Sequence, residues 1–240
     1  MTSSNRTFFI TGGTGGLGGA LASAFAEEEG ATVIVTGATE DEVVAARSDP
    51  RLAKTTVELL DVRDDVAVKA MIEGLDRLDV LVNAAGIMSS PADFTVEGFE
   101  RSIDINLLGT VRVSFAARSR LADTKGNIIN FASMMSFRGT ATGPAYAAGK
   151  SGVQSLTWSL ATAWAPDVRV NAIAPGFFDS PMTKIVQQDP ARNQRIVSRI
   201  PMGRWGEPEE LVSGARFLAS RDSGYVTGIV LPIDGGYLTT

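Results

Sequence analysis

A chain of 240 residues with 44% hydrophobic content can bury one large core, and its net charge of −5 offers no electrostatic footprint for nucleic acid or an anionic membrane. It has no cysteine and no histidine, so we expect no disulfide, no metal site and no histidine-based triad, and any general base must be Asp, Glu, Lys or Tyr. Residues 1–7 lack the pattern of a secretory signal, and no stretch reaches the ~20 apolar residues of a membrane span. A cytoplasmic protein with neither nucleic acid nor membrane as partner is therefore expected.

Short runs of Val, Ile and Leu alternate with helical patterns along the whole chain. The runs are continuous rather than alternating, which is typical of strands buried on both faces of a parallel sheet. The predicted strands are Thr7–Thr11, Thr32–Thr36, Val57–Asp61, Val80–Asn83, Asn127–Ala132, Val168–Ala174 and Ile229–Ile233. Without a linker or repeat, the pattern predicts one α/β domain over residues 1–240: a doubly wound (Rossmann) sheet of seven parallel strands with helices on both faces.

Helical periodicity fills the intervals between these strands. Apolar faces over residues 17–25 and 66–75 predict the first helices, and longer helices are predicted over Val96–Leu121 and Tyr146–Trp164. A further helix begins near Glu207, where acidic residues suit the positive end of the helix dipole. The two long helices carry apolar residues on more than one side, so one face can pack on the sheet and another on a partner subunit.

A glycine-rich turn joins the first strand to the first helix. Glycine avoids Cβ clashes where a chain turns tightly, approaches a pyrophosphate and packs a helix on a sheet, and the helix N-terminus then offers free N–H groups to phosphate. Two templates fit, Gly13-x-Gly15-x-x-Gly18 and the longer variant Gly12-x-x-x-Gly16-x-Gly18. The turn predicts a dinucleotide site, the alternative being a flexible turn without a ligand.

The dinucleotide fingerprint expects a carboxylate at the end of the second strand to hold the ribose 2′-OH of NAD. Here that strand ends at residues 35–39 with no acidic residue, and no Arg or Lys follows to bind the 2′-phosphate of NADP. The next residues are Glu40, Asp41 and Glu42. Their carboxylates would repel a 2′-phosphate, which favours NAD over NADP; alternatively, they only cap the following helix.

Ser133, Tyr146 and Lys150 form a candidate acid/base trio. A phenol titrates near 10, and an ammonium group one helical turn away favours its phenolate and lowers its pKa. Tyr146 and Lys150 are four residues apart and share a helix face, while Ser133 ends the preceding strand, where its hydroxyl can orient a substrate oxygen. An exposed Tyr–Lys pair is the alternative, but together with the glycine turn the trio predicts a hydride-transfer enzyme.

With these residues the chain resembles the short-chain dehydrogenase/reductase family, in its compact single-domain branch, over essentially its whole length. The matching segments are Thr11–Gly18, Leu60–Val62, Asn83–Gly86, Asp104–Asn106, Ser133, Tyr146–Lys150, Arg169–Asn171 and Pro175–Gly176. The resemblance implies an NAD(P)-dependent alcohol dehydrogenase or ketoreductase that moves a hydride between nicotinamide and a secondary alcohol or ketone. It also implies a homotetramer, with a dimer as the alternative.

The resemblance implies a role for each catalytic position. Tyr146 would be the general acid/base, Lys150 would lower its pKa and bind the nicotinamide ribose, and Ser133 would polarise the substrate carbonyl. Asn106 would kink its helix and hold a water that links Lys150 to solvent; the alternative for Asn106 is an ordinary helix cap.

Cofactor contacts are implied at a larger set of positions. They are Gly12, Thr14, Gly16, Leu17, Gly18, Gly37, Asp61, Val62, Asn83, Gly86, Tyr146, Lys150, Phe178 and Ser180. Asp61 and Val62 would contact adenine, and Phe178 and Ser180 would meet the nicotinamide carboxamide. Alternatively, Asp61 caps the next helix and Asn83 is a strand-end turn residue. The chain departs from the family at Ala84, in place of a second Asn, and at Ser180, in place of Thr.

Residues 177–206 follow the sixth strand and are the least regular part of the chain. We expect them to form a mobile substrate lid with an apolar inner face that includes Phe177 and Met182, facing a wall made by Met134, Met135 and Phe137. The alternative is that these side chains are plain core.

Other functions remain open at this stage. An epimerase or dehydratase with a retained cofactor would need a longer chain, and related enoyl reductases space Tyr and Lys more widely. A catalytically silent dinucleotide-sensing protein would not need the intact trio. The substrate itself is not specified by any motif.

Overall fold

The computed structural model describes residues 5–88 and 90–240, apart from the side chain of Met182, and is built around a parallel sheet. The strands are β1 Thr7–Thr11, β2 Thr32–Gly37, β3 Thr56–Leu59, β4 Val80–Asn83, β5 Asn127–Phe131, β6 Arg169–Pro175 and β7 Val230–Ile233. Their order is β3-β2-β1-β4-β5-β6-β7, and every neighbouring pair is parallel. The doubly wound sheet of seven strands is thus confirmed, with its change of direction between β1 and β4, where such folds bind ligands.

The strand bounds agree with the predicted ones to within one residue, except that β3 ends two residues early. The ladder between β2 and β3 closes at the Gly37–Leu59 pair, and the Leu60 N–H then donates to the Gly37 carbonyl. Because β3 lies at the edge of the sheet, the chain turns away once its single neighbour ends. Asp61 therefore lies in the loop after the strand rather than in it.

Helices cover both faces of this sheet. They are α1 Gly16–Ala26, α2 Glu40–Arg47, α3 Asp65–Glu73, α4 Val96–Ile103, α5 Gly109–Thr124, α6 Pro144–Trp164, α7 Lys184–Gln187, α8 Pro190–Val197 and α9 Val212–Ala219. A π-helical turn, Asp104–Leu108, joins α4 to α5 within the single long helix that the periodicity predicted. Across residues 5–88 and 90–240, no helix combines the length and apolar character that crossing a bilayer requires.

Alternate residues of β1 serve two separate core layers. Phe8 and Ile10 pack with α1, α2 and α9 on one face, and the Phe8 ring stacks on Phe25 of α1 at 4.6 Å between centroids. Phe9 points to the opposite face, where it packs with residues of α3, α5 and α6 such as Leu121. Burial on both faces explains why the strands read as continuous apolar runs.

Candidate active site

The glycine-rich turn lies at the carboxyl end of β1, beside the switch point. Gly12 has φ +65°, and a Cβ there would lie 2.7 Å from the Cα of Ala85. A Cβ at Gly18 would overlap the carbonyl oxygen of Gly12. Both positions thus require glycine because backbone approaches backbone, which is the packing that a dinucleotide cradle needs.

The geometry selects the longer of the two glycine templates. Gly16 has φ +54° and begins α1, so all three glycines of the longer template are constrained; in the shorter template Gly13 is also tight, since a Cβ there would lie 2.8 Å from that of Val35. A Cβ at Gly15 would meet nothing within 4 Å. Among the described residues, no side chain caps α1, and its first turn has no acidic residue, which leaves its N–H groups and positive dipole end open to phosphate. The turn therefore fits a nucleotide pyrophosphate.

A carboxylate lies at the end of β2 after all, supplied by the next helix. Oε2 of Glu42 accepts the Ala38 N–H at 2.7 Å, and a Cβ at Gly37 would lie 3.2 Å from that oxygen. The same Cβ would lie 2.9 Å from the γ-methyl of Thr14, which connects this edge to the glycine turn. The side-chain cap of α2 is Thr39, whose hydroxyl accepts the Glu42 N–H at 3.3 Å. Sequence reasoning named three acidic residues here; only the fold singles out Glu42.

The acid/base trio meets at the carboxyl end of β5. Ser133 follows that strand and lies beside Tyr146, which is in the first turn of α6. Lys150 lies one turn further along α6, is only 5% exposed and donates from Nζ to the Phe131 carbonyl at 2.7 Å. Its Nζ is 5.9 Å from the centroid of the Tyr146 ring. The fold thus brings together all three residues that the sequence proposed.

The pKa values of this pair reflect burial more than mutual attraction. Burial raises the pKa of the Tyr146 phenol above its usual value, and the hydrogen bond with Ser133 opposes that rise. Burial lowers the pKa of Lys150 to about 8. The sequence predicted a lowered tyrosine pKa through Lys150; its direction is upward, because burial of the phenol outweighs the opposing effect of Ser133.

Asn106 lies in the π-helical turn and holds the chain that follows β4. Its Oδ1 accepts the Ile87 N–H at 2.9 Å, and its Nδ2 donates to the Ile87 carbonyl at 3.2 Å. A Cβ at Gly86 would lie 2.7 Å from that Oδ1 and 3.6 Å from Nζ of Lys150. Asn106 therefore does not cap a helix; it connects the end of β4 to the neighbourhood of Lys150.

Two other predicted cofactor residues, Asn83 and Asp61, make contacts that the sequence did not predict. The Asn83 amide is buried and donates to Ser114 of α5 and Asn130 of β5, both at 2.9 Å. Asp61 pairs with Arg63, and the cap of α3 is Asp64, not Asp61.

Val62 is also buried, with its side chain against Gly109. Leu17 packs against the core layer of α1, and the buried Phe178 covers Gly206. Ser180 is 8% exposed, and its hydroxyl lies 3.2 Å from that of Thr183. For these residues the cofactor roles implied by the resemblance stay predictions.

An apolar cluster adjoins the turn after Ser133. Its buried members are Met134, Ile200 and Tyr237, with Met135, Phe177, Ile196 and Leu238 packed against them. Part of the expected substrate wall is therefore core, while Met135 and Phe177 are partly exposed. Phe137 is 44% exposed, and the side chain of Met182 lies outside the described residues.

Two arginines that sequence reasoning did not place in one site lie on this cluster. The guanidinium carbons of Arg138 and Arg199 are 5.3 and 4.7 Å from the centroid of the Tyr237 ring. Within the described ranges, neither forms an ion pair with an acidic side chain. Across all the residues that the structure describes, no group of three or more acidic side chains is arranged to hold a metal ion.

The site combines a dinucleotide cradle at the switch point of a doubly wound sheet with Ser, Tyr and Lys side chains beside it. This combination defines a class of nicotinamide-dependent oxidoreductase. A family model described as enoyl-(acyl carrier protein) reductase matches residues 12–238. The chain belongs to the short-chain dehydrogenase/reductase family, as the resemblance predicted. It is an NAD(P)-dependent enzyme that acts on CH–OH groups, moving a hydride between nicotinamide and a secondary alcohol or ketone.

Individual relatives are similar over nearly their whole length. The chain is 37% identical to the 2-dehydro-3-deoxy-D-gluconate 5-dehydrogenase of Bacillus subtilis (strain 168), over 98% of this chain and 95% of that protein. It is 35% identical to the 3-oxoacyl-(acyl-carrier-protein) reductase FabG of Thermotoga maritima, over 98% of this chain and 99% of that protein. A solved gluconate 5-dehydrogenase from Burkholderia cenocepacia J2315, in complex with NADP and tartrate, has a TM-score of 0.90 at 32% identity and covers 99% of this chain and 96% of that one.

Proposed function

We propose that Tyr146 is the general acid/base of the alcohol–ketone reaction. In oxidation, the ionised Tyr146 oxygen takes the hydroxyl proton of the substrate while Ser133 holds the same oxygen by a hydrogen bond. The Lys150 ammonium favours the phenolate. When bound, the nicotinamide supplies or accepts the hydride at the carbinol carbon. The observation that carries this proposal is that Ser133 lies close enough to Tyr146 to act on its phenol, with the buried Lys150 one helical turn away.

A conservative tyrosine pair tests this assignment. Tyr146→Phe removes only the hydroxyl, so turnover should fall by at least about 10²-fold, while NADH binding measured by fluorescence titration stays within about twofold. Tyr225→Phe is the matched control, because that side chain is fully exposed. Equal turnover in wild type and Tyr146→Phe would contradict the mechanism.

We also propose that the enzyme prefers NAD to NADP. The support is the position of the Glu42 carboxylate, which occupies the strand end where a 2′-phosphate would bring a second negative charge. Titration with NADH and NADPH should show tighter NADH binding. Glu42→Gln should reduce the ratio of the NADPH and NADH dissociation constants by about tenfold. Glu40→Gln is the control, since its carboxylate makes no described hydrogen bond to this edge. NADPH preference in the wild type would refute the proposal.

For the substrate, we propose a hydroxy acid or sugar acid whose carboxylate meets Arg138 and Arg199. The two guanidinium groups share one ring in a cluster that includes Met135, and the Met135 N–H donates to Oγ of Ser133 at 3.1 Å. Arginine suits carboxylate recognition because it presents paired donors. The names of the Bacillus and Burkholderia relatives, which refer to gluconates, agree with this class.

The carboxylate proposal is tested with a charged and a neutral substrate. Oxidation of D-gluconate is compared with that of D-sorbitol in wild type, Arg138→Gln and Arg199→Gln. Each substitution should raise KM for gluconate by about tenfold and leave sorbitol nearly unchanged, because one charge-assisted hydrogen bond is lost. The exposed Arg195→Gln serves as control. Equal increases in KM for both substrates would refute recognition of the carboxylate by these arginines.

We further propose that the chain forms a single catalytic domain in which residues 177–206 act as a lid. We also propose that the enzyme is cytoplasmic and assembles as a homotetramer or, alternatively, a homodimer. α7 and α8 lie within the lid segment. The oligomer is supported by large apolar side chains left exposed on the helices of one face, among them Val96, Phe115 and Trp158, which are 70%, 57% and 50% exposed. Light scattering after chromatography should give a multiple of the 25.3 kDa chain mass, reduced by Phe115→Asp; a monomeric wild type would refute it.

A further inference from the structure

Asp93 is a buried carboxylate with no place in the reaction described so far. It lies in the 3₁₀ turn Pro91–Phe94 before α4 and is 4% exposed. Its Oδ2 accepts the backbone N–H of Tyr146 at 3.1 Å. Its Oδ1 accepts the Ser90 N–H at 3.1 Å. In the ranges that the structure describes, no cationic side chain forms an ion pair with it.

The start of α6 explains why a carboxylate is stable there. Gly143, the N-cap residue, has no side chain to offer, and Pro144 has no N–H. The first turn therefore lacks a local cap, and Asp93 supplies one from 53 positions away in the chain. The positive end of this 21-residue helix compensates the carboxylate charge in place of a cation.

We infer that Asp93 is a positioning residue that holds Tyr146 against Ser133; this inference rests on the proposed role of Tyr146. The second turn of α6 is fastened separately, because Lys150 donates to the Phe131 carbonyl and its own carbonyl accepts from Ser136 at 2.7 Å. Only the turn that carries Tyr146 depends on Asp93. Loss of the carboxylate should thus displace the phenol while leaving Lys150 in place.

The kinetic consequence separates positioning from general stability. A displacement of about 1 Å at a reacting group costs about 10²-fold in rate. Asp93→Ala should therefore lower kcat by about that factor, with NADH binding within about twofold of wild type. Asp93→Asn keeps an oxygen that can accept the Tyr146 N–H, so it should retain most of the rate. Thr95→Ala is the control, because it removes the cap of α4 from the same segment without touching Tyr146.

A pH profile distinguishes position from charge. The charged groups that the described contacts place around Tyr146 are Lys150 on α6 and Asp93 on the 3₁₀ turn. The hydrogen bond with Ser133 lowers the phenol pKa, so a displaced Tyr146 loses that effect. In Asp93→Ala the ascending limb of the pH–rate profile for alcohol oxidation should therefore move to higher pH. If Asp93 acted through its charge, removing it would instead move the limb to lower pH in both variants.

The experiment combines these kinetics, on the best alcohol from a panel of polyols and sugar acids, with amide hydrogen exchange of the peptide covering residues 144–150. The inference is supported if this peptide exchanges faster in Asp93→Ala while β5 stays protected. The same variant should have a lower kcat and an ascending limb shifted to higher pH, and Asp93→Asn should restore both. An unchanged kcat, equal downward shifts of the limb in both variants, or loss of protection throughout the protein would overturn it. Tyr146→Phe with full turnover would refute the proposed function separately, since exchange at the Tyr146 amide does not depend on its hydroxyl.

Discussion

The burial of Lys150 should lower the enzyme's free energy of unfolding at neutral pH. Burial lowers the folded-state pKa of this lysine to about 8, from an ordinary value of 10.5. The folded state therefore binds the proton less tightly than the unfolded state, and this destabilises the protein at every pH below 8. The difference of 2.5 pKa units corresponds to about 3 kcal/mol. The effect weakens as pH rises from 8 to 10.5.

Lys150→Met tests this cost directly. Methionine fills similar space without a charge, but it loses the hydrogen bond to the Phe131 carbonyl, which contributes about 1 kcal/mol. At pH 7 the variant should be about 2 kcal/mol more stable than wild type, and inactive if Lys150 acts as proposed. Near pH 10.5 the order should reverse, leaving the variant about 1 kcal/mol less stable.

Urea unfolding at fixed protein concentration, followed by fluorescence at pH 7 and pH 10.5, provides the measurement. The free energy of unfolding of Lys150→Met minus that of wild type isolates the lysine from other titrating groups. Lys69→Met is the control, because its ammonium is exposed and pairs with Asp65 on the surface. A variant less stable than wild type at pH 7, or a difference that does not change with pH, would refute the reasoning.

Two further predictions concern the cradle and the core. Gly18→Ala should weaken NADH binding by at least about tenfold, since its Cβ would overlap the Gly12 carbonyl oxygen, whereas Gly15→Ala meets open space and should bind normally in the same fluorescence titration. Comparable affinities in the two variants would contradict the cradle geometry. Phe25→Ala should lower the free energy of unfolding by about 3–5 kcal/mol in urea titration, because it empties the core beside β1, while the exposed Phe94→Ala should cost less than about 1 kcal/mol. A small loss in Phe25→Ala would mean that the core refills the cavity.

Some parts of the fold could be predicted because their causes are local. β1 and β4 have the predicted bounds, since each is a continuous apolar run buried on both faces. The break between α4 and α5 could not be predicted from periodicity. It depends on Asn106, whose side chain bonds Ile87, 19 positions away in the chain.

The candidate site divides in the same way. Residue type and spacing identified Ser133, Tyr146 and Lys150, because a helix places positions four apart on one face. The choice between the glycine templates needed the backbone of Ala85, which lies against Gly12 only after β1 and β4 pair.

By itself, the sequence determined the class of fold, the glycine-rich turn, the candidate acid/base residues and the family, because each depends on short motifs of neighbouring residues. Only the tertiary structure decided which carboxylate faces the end of β2, which arginines share the Tyr237 ring, and that Asp93 caps the catalytic helix. The direction of the Tyr146 pKa also emerged there. Burial and through-space contacts join residues far apart in the chain, and no local pattern specifies them.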